Sequence, residues 1–248
     1  MLMYPYNLVA VGEQAMNLVF PEKIDVAENQ TIQRIAKDLR TDPTFALLDA
    51  IPAYHTLTLY FDTQRISEAQ FRSKLTVYLH NYTDAVAVTQ ERVLELPVCY
   101  TPPEFGPDLK DVAAFAGLSI PQLIQMHTQN SYFIYMMGFL PGFAYMGFVP
   151  DQIAMPRLNR PRAEVPAGSV GIAGKQTGMY PVASPAGWRI IGRTPLKLYD
   201  PPHAPPLPKY QPGDRIQFKA INRQEYERIK TVDQAGKYHL NIKKTKEA

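Results

Sequence analysis

The chain has 248 residues, 46% apolar and 20% charged, with a formal net charge of +3. These proportions exclude a disordered, collagen-like or coiled-coil chain, and so small a charge gives no argument for a nucleic-acid partner. Cys99 is the single cysteine, so an intramolecular disulfide is excluded and a reducing, cytoplasmic setting is expected. The 23 prolines, 15 tyrosines and 11 phenylalanines point to fixed loops on a β-rich scaffold.

The opening MLMYPYNLVAVGEQ has neither a basic start nor a long apolar core, so no secretory signal is expected there. Tyr6–Val11 and Ala15–Phe20 are short apolar runs about Gly12-Glu13, which predicts a hairpin. Val26, Ile32, Ile35, Ala36 and Leu39 recur at helical spacing across Asp25–Leu39, and Thr41-Asp42-Pro43 stops that helix. Leu47–Ile51 and Thr56–Phe61 follow as strands. Ser67 opens a second helix whose buried stripe is Phe71, Leu75, Tyr78 and Leu79. Arg92–Cys99 alternates as a strand. The order ββαββα is that of a small α+β layer with its helices on one sheet face.

Beyond this point the composition changes. The first 98 residues carry 8 Lys and Arg against 12 Asp and Glu, whereas the remaining 150 carry 18 against 11. Nine of the 14 glycines lie between Gly138 and Gly192. Such a shift marks two domains. Pro107-Asp108 is expected to cap a short helix through Leu118, and Ser119 with Pro121 to start another through Gln129. Tyr132–Val149 is 18 residues without a charge, the lower limit for a membrane span. Its three glycines, Pro141 and seven aromatics favour strand, tight turn and strand, buried on both faces. Strands and irregular loops continue to Phe218, with a turn at Pro212-Gly213-Asp214. Asn222 and Glu225 form a capping box for a helix through about Ile229. The tail from Lys243 to Lys246 reads as a frayed, solvated end.

Gly168 to Lys175 invites a phosphate-loop reading and fails it. Ser169 stands in that stretch and Gln176 follows Lys175, so neither a Walker loop nor a dinucleotide fingerprint is met. Thr177-Gly178-Met179-Tyr180-Pro181 is also a poor start for the helix either motif needs. A glycine-kinked strand or barrel corner is the expectation. The five histidines lack metal-ligand spacing, so no metal is predicted. Ser169 and Ser184 have no base in any linear pattern and read as turn hydroxyls. Arg157, Arg160 and Arg162 alternate with prolines, which displays three planar forks from a stiff loop, suited to carboxylate or phosphate. Phe139, Pro141, Phe143, Tyr145, Tyr180, Pro181 and Trp188 can line an apolar cleft or fill a core, and for Phe139 the two remain open. Arg193 joins them as a cleft candidate. His127 falls on the buried side of its helix with Leu123 and Ile124, where a satisfied core histidine is commoner than a catalyst.

GFLPGFAYMG, followed by PRLNRPRAEVPAGSVGIAGKQTGMYPVASPAGWRIIGRTP, resembles the carboxyltransferase C/D-domain family over essentially the whole chain. That family takes in components of 5-oxoprolinase, the KipI inhibitors of sporulation kinases, and proteins of urea and allophanate metabolism. The resemblance implies an α+β N-terminal domain (residues 1–90) followed by a mainly-β cyclophilin-like barrel domain (residues 91–248). It also implies a part in the ATP-dependent opening of 5-oxoproline to glutamate, with ATP and Mg at the level of a complex. The partners implied are a carboxyltransferase-domain protein of the C-subunit type and a hydrolase of the A-subunit type. On that resemblance Arg157, Arg162 and Lys175 are anion-binding candidates, and backbone N–H groups around Gly168–Gly171 a candidate anion nest, with Ser169, Gln176 and Thr177 among the residues implied. Inhibition of a histidine kinase and an allophanate or urea carboxylase role are the alternatives. No membrane is implied, and the catalytic residues are left unassigned.

Overall fold

A computed structural model describes residues 2–83, 91–199 and 209–245. It divides into two compact units, Met1–Val88 and Thr89–Ala248. The expected boundary at 90/91 lies where residues 84–90 are outside the described residues.

In the first unit the hairpin is β1 (Asn7–Val11) and β2 (Ala15–Val19), turning at Gly12 with φ +66°. Helix α1 (Val26–Thr41) is capped by the Asp25 carboxylate, which accepts from the N–H groups of Ala27 and Glu28. β3 (Leu47–Pro52) and β4 (Thr56–Phe61) complete an antiparallel sheet of order β1-β2-β4-β3. Helix α2 (Glu68–Asn81) begins with a reciprocal Ser67–Gln70 capping box. Both helices bring apolar stripes to one sheet face. Ile32, Ile35, Leu39, Phe71, Leu75 and Leu79 meet Met16, Leu18, Leu57, Leu59 and Phe61 in one buried core. Phe61 stacks on Phe71 at 4.4 Å between centroids. Tyr78, expected in the buried stripe, is half-buried and reaches Asp38.

The second unit is built on a closed ring of seven strands. They are β5 (Glu91–Cys99), β6 (Ser131–Met137), β7 (Ala144–Gly147), β9 (Ser169–Ala173), β10 (Gln176–Met179), β12 (Arg189–Arg193) and β13 (Arg215–Ile221). Around the ring the order is β12-β9-β10-β7-β6-β13-β5, and β12 returns to β5 at Arg193–Cys99. All neighbours are antiparallel except β5 and β13. The seam depends on Gly192: a Cβ there would stand 2.6 Å from Val98 Cγ1 and 3.1 Å from the Cys99 carbonyl. Alternate residues fill the interior, among them Leu94, Leu96, Val98, Ile134, Met146, Val170, Ile172, Ile191, Ile216 and Phe218. Between β7 and β9 lies β8 (Arg162–Val165), which pairs with β11 (Ser184–Ala186) in a separate two-stranded sheet.

Helices α3 (Leu109–Ala116) and α4 (Ile120–Thr128) pack on β12 and β13. Gly117, in left-handed conformation, ends α3 two residues before the expected Leu118. The Ser119–Gln122 capping box then opens α4. Helix α5 (Arg223–Gln234), capped by Asn222, runs five residues past the expected end. The tail differs from expectation. β14 (Asn241–Thr245) pairs antiparallel with Glu91–Glu95 of β5, where the Glu95 carboxylate takes the Asn241 amide and, at 3.2 Å, the Lys243 ammonium. Lysine is at home on an edge strand because its charge discourages further pairing; Lys246 lies outside the described residues. The 132–149 stretch is strand, turn and strand as expected, but it is not buried throughout: Phe139 is 62% and Phe148 42% exposed. Among the described residues no helix is long and apolar enough to cross a membrane.

Candidate functional site

The β6–β7 turn, Gly138–Phe143, gathers the aromatic residues. Its backbone closes through Leu140 N–H to Gly138 O at 2.8 Å and Gly138 N–H to Phe143 O at 3.1 Å. This leaves Phe139 at φ +65°, a conformation costly for a side chain of that size. Phe143 is buried at the centre. Its ring meets Tyr145 at 4.9 Å, Tyr180 at 5.2 Å, Trp188 at 5.5 Å and Phe139 at 5.6 Å, all edge-to-face. Gly178 on β10 allows the approach, since a Cβ there would lie 2.8 Å from the Trp188 ring. Pro181 is buried against Gly142, whereas Pro141 is exposed on the turn. Phe139, Phe143, Tyr145, Tyr180 and Trp188 therefore do come together, as a cluster beside the main barrel core. Burial pushes the Tyr180 phenol up to about 12, with the Arg157 guanidinium opposing the rise.

The basic candidates separate by what they already hold. Arg157 is exposed, its charge acts on Tyr145 and Tyr180, and its Nε lies beside Gly187. It makes no hydrogen bond or ion pair among the described residues. Arg162 is a brace. Its two terminal nitrogens donate to the Asp108 carboxylate at 2.8 and 2.6 Å, and the same carboxylate accepts the Ile190 N–H at 2.7 Å. The carboxylate beside it holds the guanidinium pKa up. Asp108 is 2% exposed and makes no side-chain cap on α3, because its oxygens are engaged by β8 and β12. Lys175 pairs with Asp151 at 2.8 Å on the surface. Arg193 donates to Glu104 O at 2.7 Å and lies 4.8 Å above the Phe105 ring.

The glycine-rich stretch is a hairpin. Ala173 pairs with Gln176 across a two-residue turn, Gly174-Lys175, with Gly174 at φ +57°. The expected anion nest is not formed. Gly168 N–H donates to Tyr180 O at 2.7 Å and Ser169 N–H to Pro166 O at 3.2 Å, while β9 is laddered on both edges. The Ser169 hydroxyl donates to Pro166 O at 2.7 Å. Gln176 is half-buried at the start of β10. With these donors already engaged, the stretch does not fit a phosphate cradle for ATP.

Thr177 faces His127 inside the barrel. The Thr177 hydroxyl donates to Gly171 O at 3.1 Å, so it accepts from His127 Nε2 at 3.2 Å, and Nδ1 is left to accept from the Tyr100 hydroxyl at 2.9 Å. The ring stacks on Phe218 at 4.7 Å. Full burial pushes its pKa down to about 3, so the imidazole is neutral at ordinary pH. This is a satisfied core histidine. The brace role of Asp108, expected only as a helix cap, and the Tyr100 contact to His127 have no local signal: the partners stand 54 and 27 positions away.

The chain belongs to the carboxyltransferase family: the profile described as "Carboxyltransferase domain, subdomain C and D" matches residues 6–209. It is 36% identical over 234 residues to the B subunit of 5-oxoprolinase from Bacillus subtilis, covering 91% of this chain and 97% of that one. To the protein of the same name in Escherichia coli O157:H7 it is 38% identical over 209 residues, 84% of this chain and 93% of that one. The solved urea carboxylase of Kluyveromyces lactis superposes with a TM-score of 0.77 on 98% of this chain and 24% of that one. At 17% identity that likeness is one of fold.

Proposed function

We propose that this chain is the B subunit of an ATP-dependent 5-oxoprolinase, which opens 5-oxo-L-proline to L-glutamate. It acts with a hydrolase of the A-subunit type and a carboxyltransferase-domain protein of the C-subunit type. One observation carries the reading: two relatives of that name match over more than nine-tenths of their own length. The same reading makes the units an α+β domain and a cyclophilin-like barrel domain, working in the cytoplasm where ATP is supplied.

The substrate is a five-membered lactam bearing a carboxylate. Its amide is unreactive until the carbonyl oxygen is converted to a better leaving group, the task for which ATP is used. This chain's own contribution is to bind and orient. Arg157, which makes no hydrogen bond or ion pair among the described residues and acts on Tyr145 and Tyr180, takes the carboxylate in a charge-assisted pair. The exposed edges of Phe139 and Tyr145 give the ring an apolar wall. Tyr180, with its pKa raised by burial, keeps its proton and presents a neutral phenol.

The test is 5-oxoproline-dependent ATP hydrolysis and glutamate release, with the chain alone, with its carboxyltransferase-domain partner, and with the hydrolase added. Glutamate formed only by the full mixture is the expected result. A well-formed complex with no 5-oxoproline-dependent turnover overturns the reading.

A further inference from the structure

Ser184 stands at the start of β11, 6% exposed. Its hydroxyl oxygen is buried and has no hydrogen-bond partner among the described residues. In the second unit it is the one buried side-chain polar atom of which this is true among the described residues. The fold satisfies its other buried hydroxyls nearby. Ser169 donates to Pro166 O, Thr177 to Gly171 O, and Thr194 accepts from Leu196 N–H. The residue after Ser184 is Pro185, which has no N–H to offer. A buried hydroxyl without a partner is a standing cost to folding, and such groups call for an explanation in function or in a bound species.

Its surroundings suggest which. Ser184 shares the buried side of β11 with Ala186, and its cross-strand neighbour on β8 is Val165. Ala186 and Val165 both belong to the cluster of Phe143, Tyr180 and Trp188. The residues on either side, Ala183 and Pro185, are more exposed, so the hydroxyl lies one layer below the surface. Arg157 reaches the same segment from outside: its Nε lies beside Gly187, and Leu158 N–H donates to Gly187 O at 2.7 Å. A free guanidinium, an unpaired hydroxyl and a set of ring edges thus border one segment, residues 184–188.

We propose that Ser184 is a ligand-binding residue of this aromatic site, its hydroxyl donating to the ring carbonyl of a small cyclic amide acid whose carboxylate is held by Arg157. This rests on the 5-oxoprolinase reading and adds a specific polar contact to it. It assigns Ser184 a binding role only, with no covalent step.

The experiment compares wild type with Ser184→Ala and Ser184→Cys in the reconstituted complex of all three components, and measures the Tm of each purified chain. Removing the unpaired hydroxyl leaves Tm unchanged or raises it, while KM for 5-oxoproline rises about tenfold with kcat less affected, and Cys, a weak donor, falls between. Loss of Tm in both variants, which would mean that the hydroxyl has a structural partner, overturns the proposal. So does KM within twofold of wild type. A wild-type complex that does not turn over 5-oxoproline overturns the underlying reading, and this proposal with it. Turnover by wild type with unchanged variants overturns only the role of Ser184.

Discussion

Around His127, inside the barrel, the ring nitrogens and the facing hydroxyls of Tyr100 and Thr177 are all paired. At the aromatic cluster, Arg157 and the Ser184 hydroxyl have no hydrogen-bond partner among the described residues. The two regions share β10, which carries Thr177 to one and Gly178 to the other. The contrast separates polar groups that hold the fold from polar groups available to a ligand. Arg157 and Arg162 show it most simply: they sit on one proline-rich stretch, yet one is free and the other is engaged by a buried carboxylate.

The largest expected effect lies on the structural side. Asp108→Ala strands Arg162 and the Ile190 N–H together. It should lower unfolding free energy in urea by about 3 kcal/mol, the low end for a buried pair because Arg162 remains a third exposed. A loss under about 1 kcal/mol would return Arg162 to the list of ligand groups. Next comes His127. Its folded pKa of about 3 lies below the usual histidine value, so the unfolded chain binds a proton that the folded chain refuses. Stability from this group is complete above about pH 6.5 and is lost as pH falls toward 3, by at most about 1.4 kcal/mol per pH unit. His127→Gln should be less stable at pH 7 and lose less on acidification. Parallel pH profiles for the two proteins would show that the imidazole is not buried in neutral form.

Smallest is the tail. The ring of seven strands closes without β14, whose Asn241 and Lys243 side chains pair with Glu95 at the surface. Truncation after Leu240 should cost about 1 kcal/mol and leave a cooperative transition. A non-cooperative melt would mean that β14 is integral to the barrel.

The sequence carried local signals well. Ser67 and Ser119 open the helices they are expected to open, since a cap needs only residues three apart. The aromatic cluster is legible as composition, and the stretch Gly168 to Lys175 as something other than a phosphate loop, although it forms a strand and hairpin turn where a kinked strand or barrel corner is expected. What was hidden depends on separation along the chain. Asp108 reads locally as a helix cap, but tertiary contact with β8 and β12 outcompetes the cap. The lysine-rich tail reads as solvated because its partner, β5, lies about 150 residues earlier. Phe139 is exposed because the turn around it closes on its own backbone, which hydrophobicity alone does not reveal.

The most direct test sets Arg157→Ala beside Arg162→Ala in the reconstituted complex, with KM for 5-oxoproline and Tm measured for both. The account predicts that Arg157→Ala raises KM about ten- to hundredfold at unchanged Tm, as loss of a charged hydrogen bond to substrate would, while Arg162→Ala chiefly lowers Tm. Unchanged KM in Arg157→Ala, with a raised KM at unchanged Tm in Arg162→Ala, would contradict it.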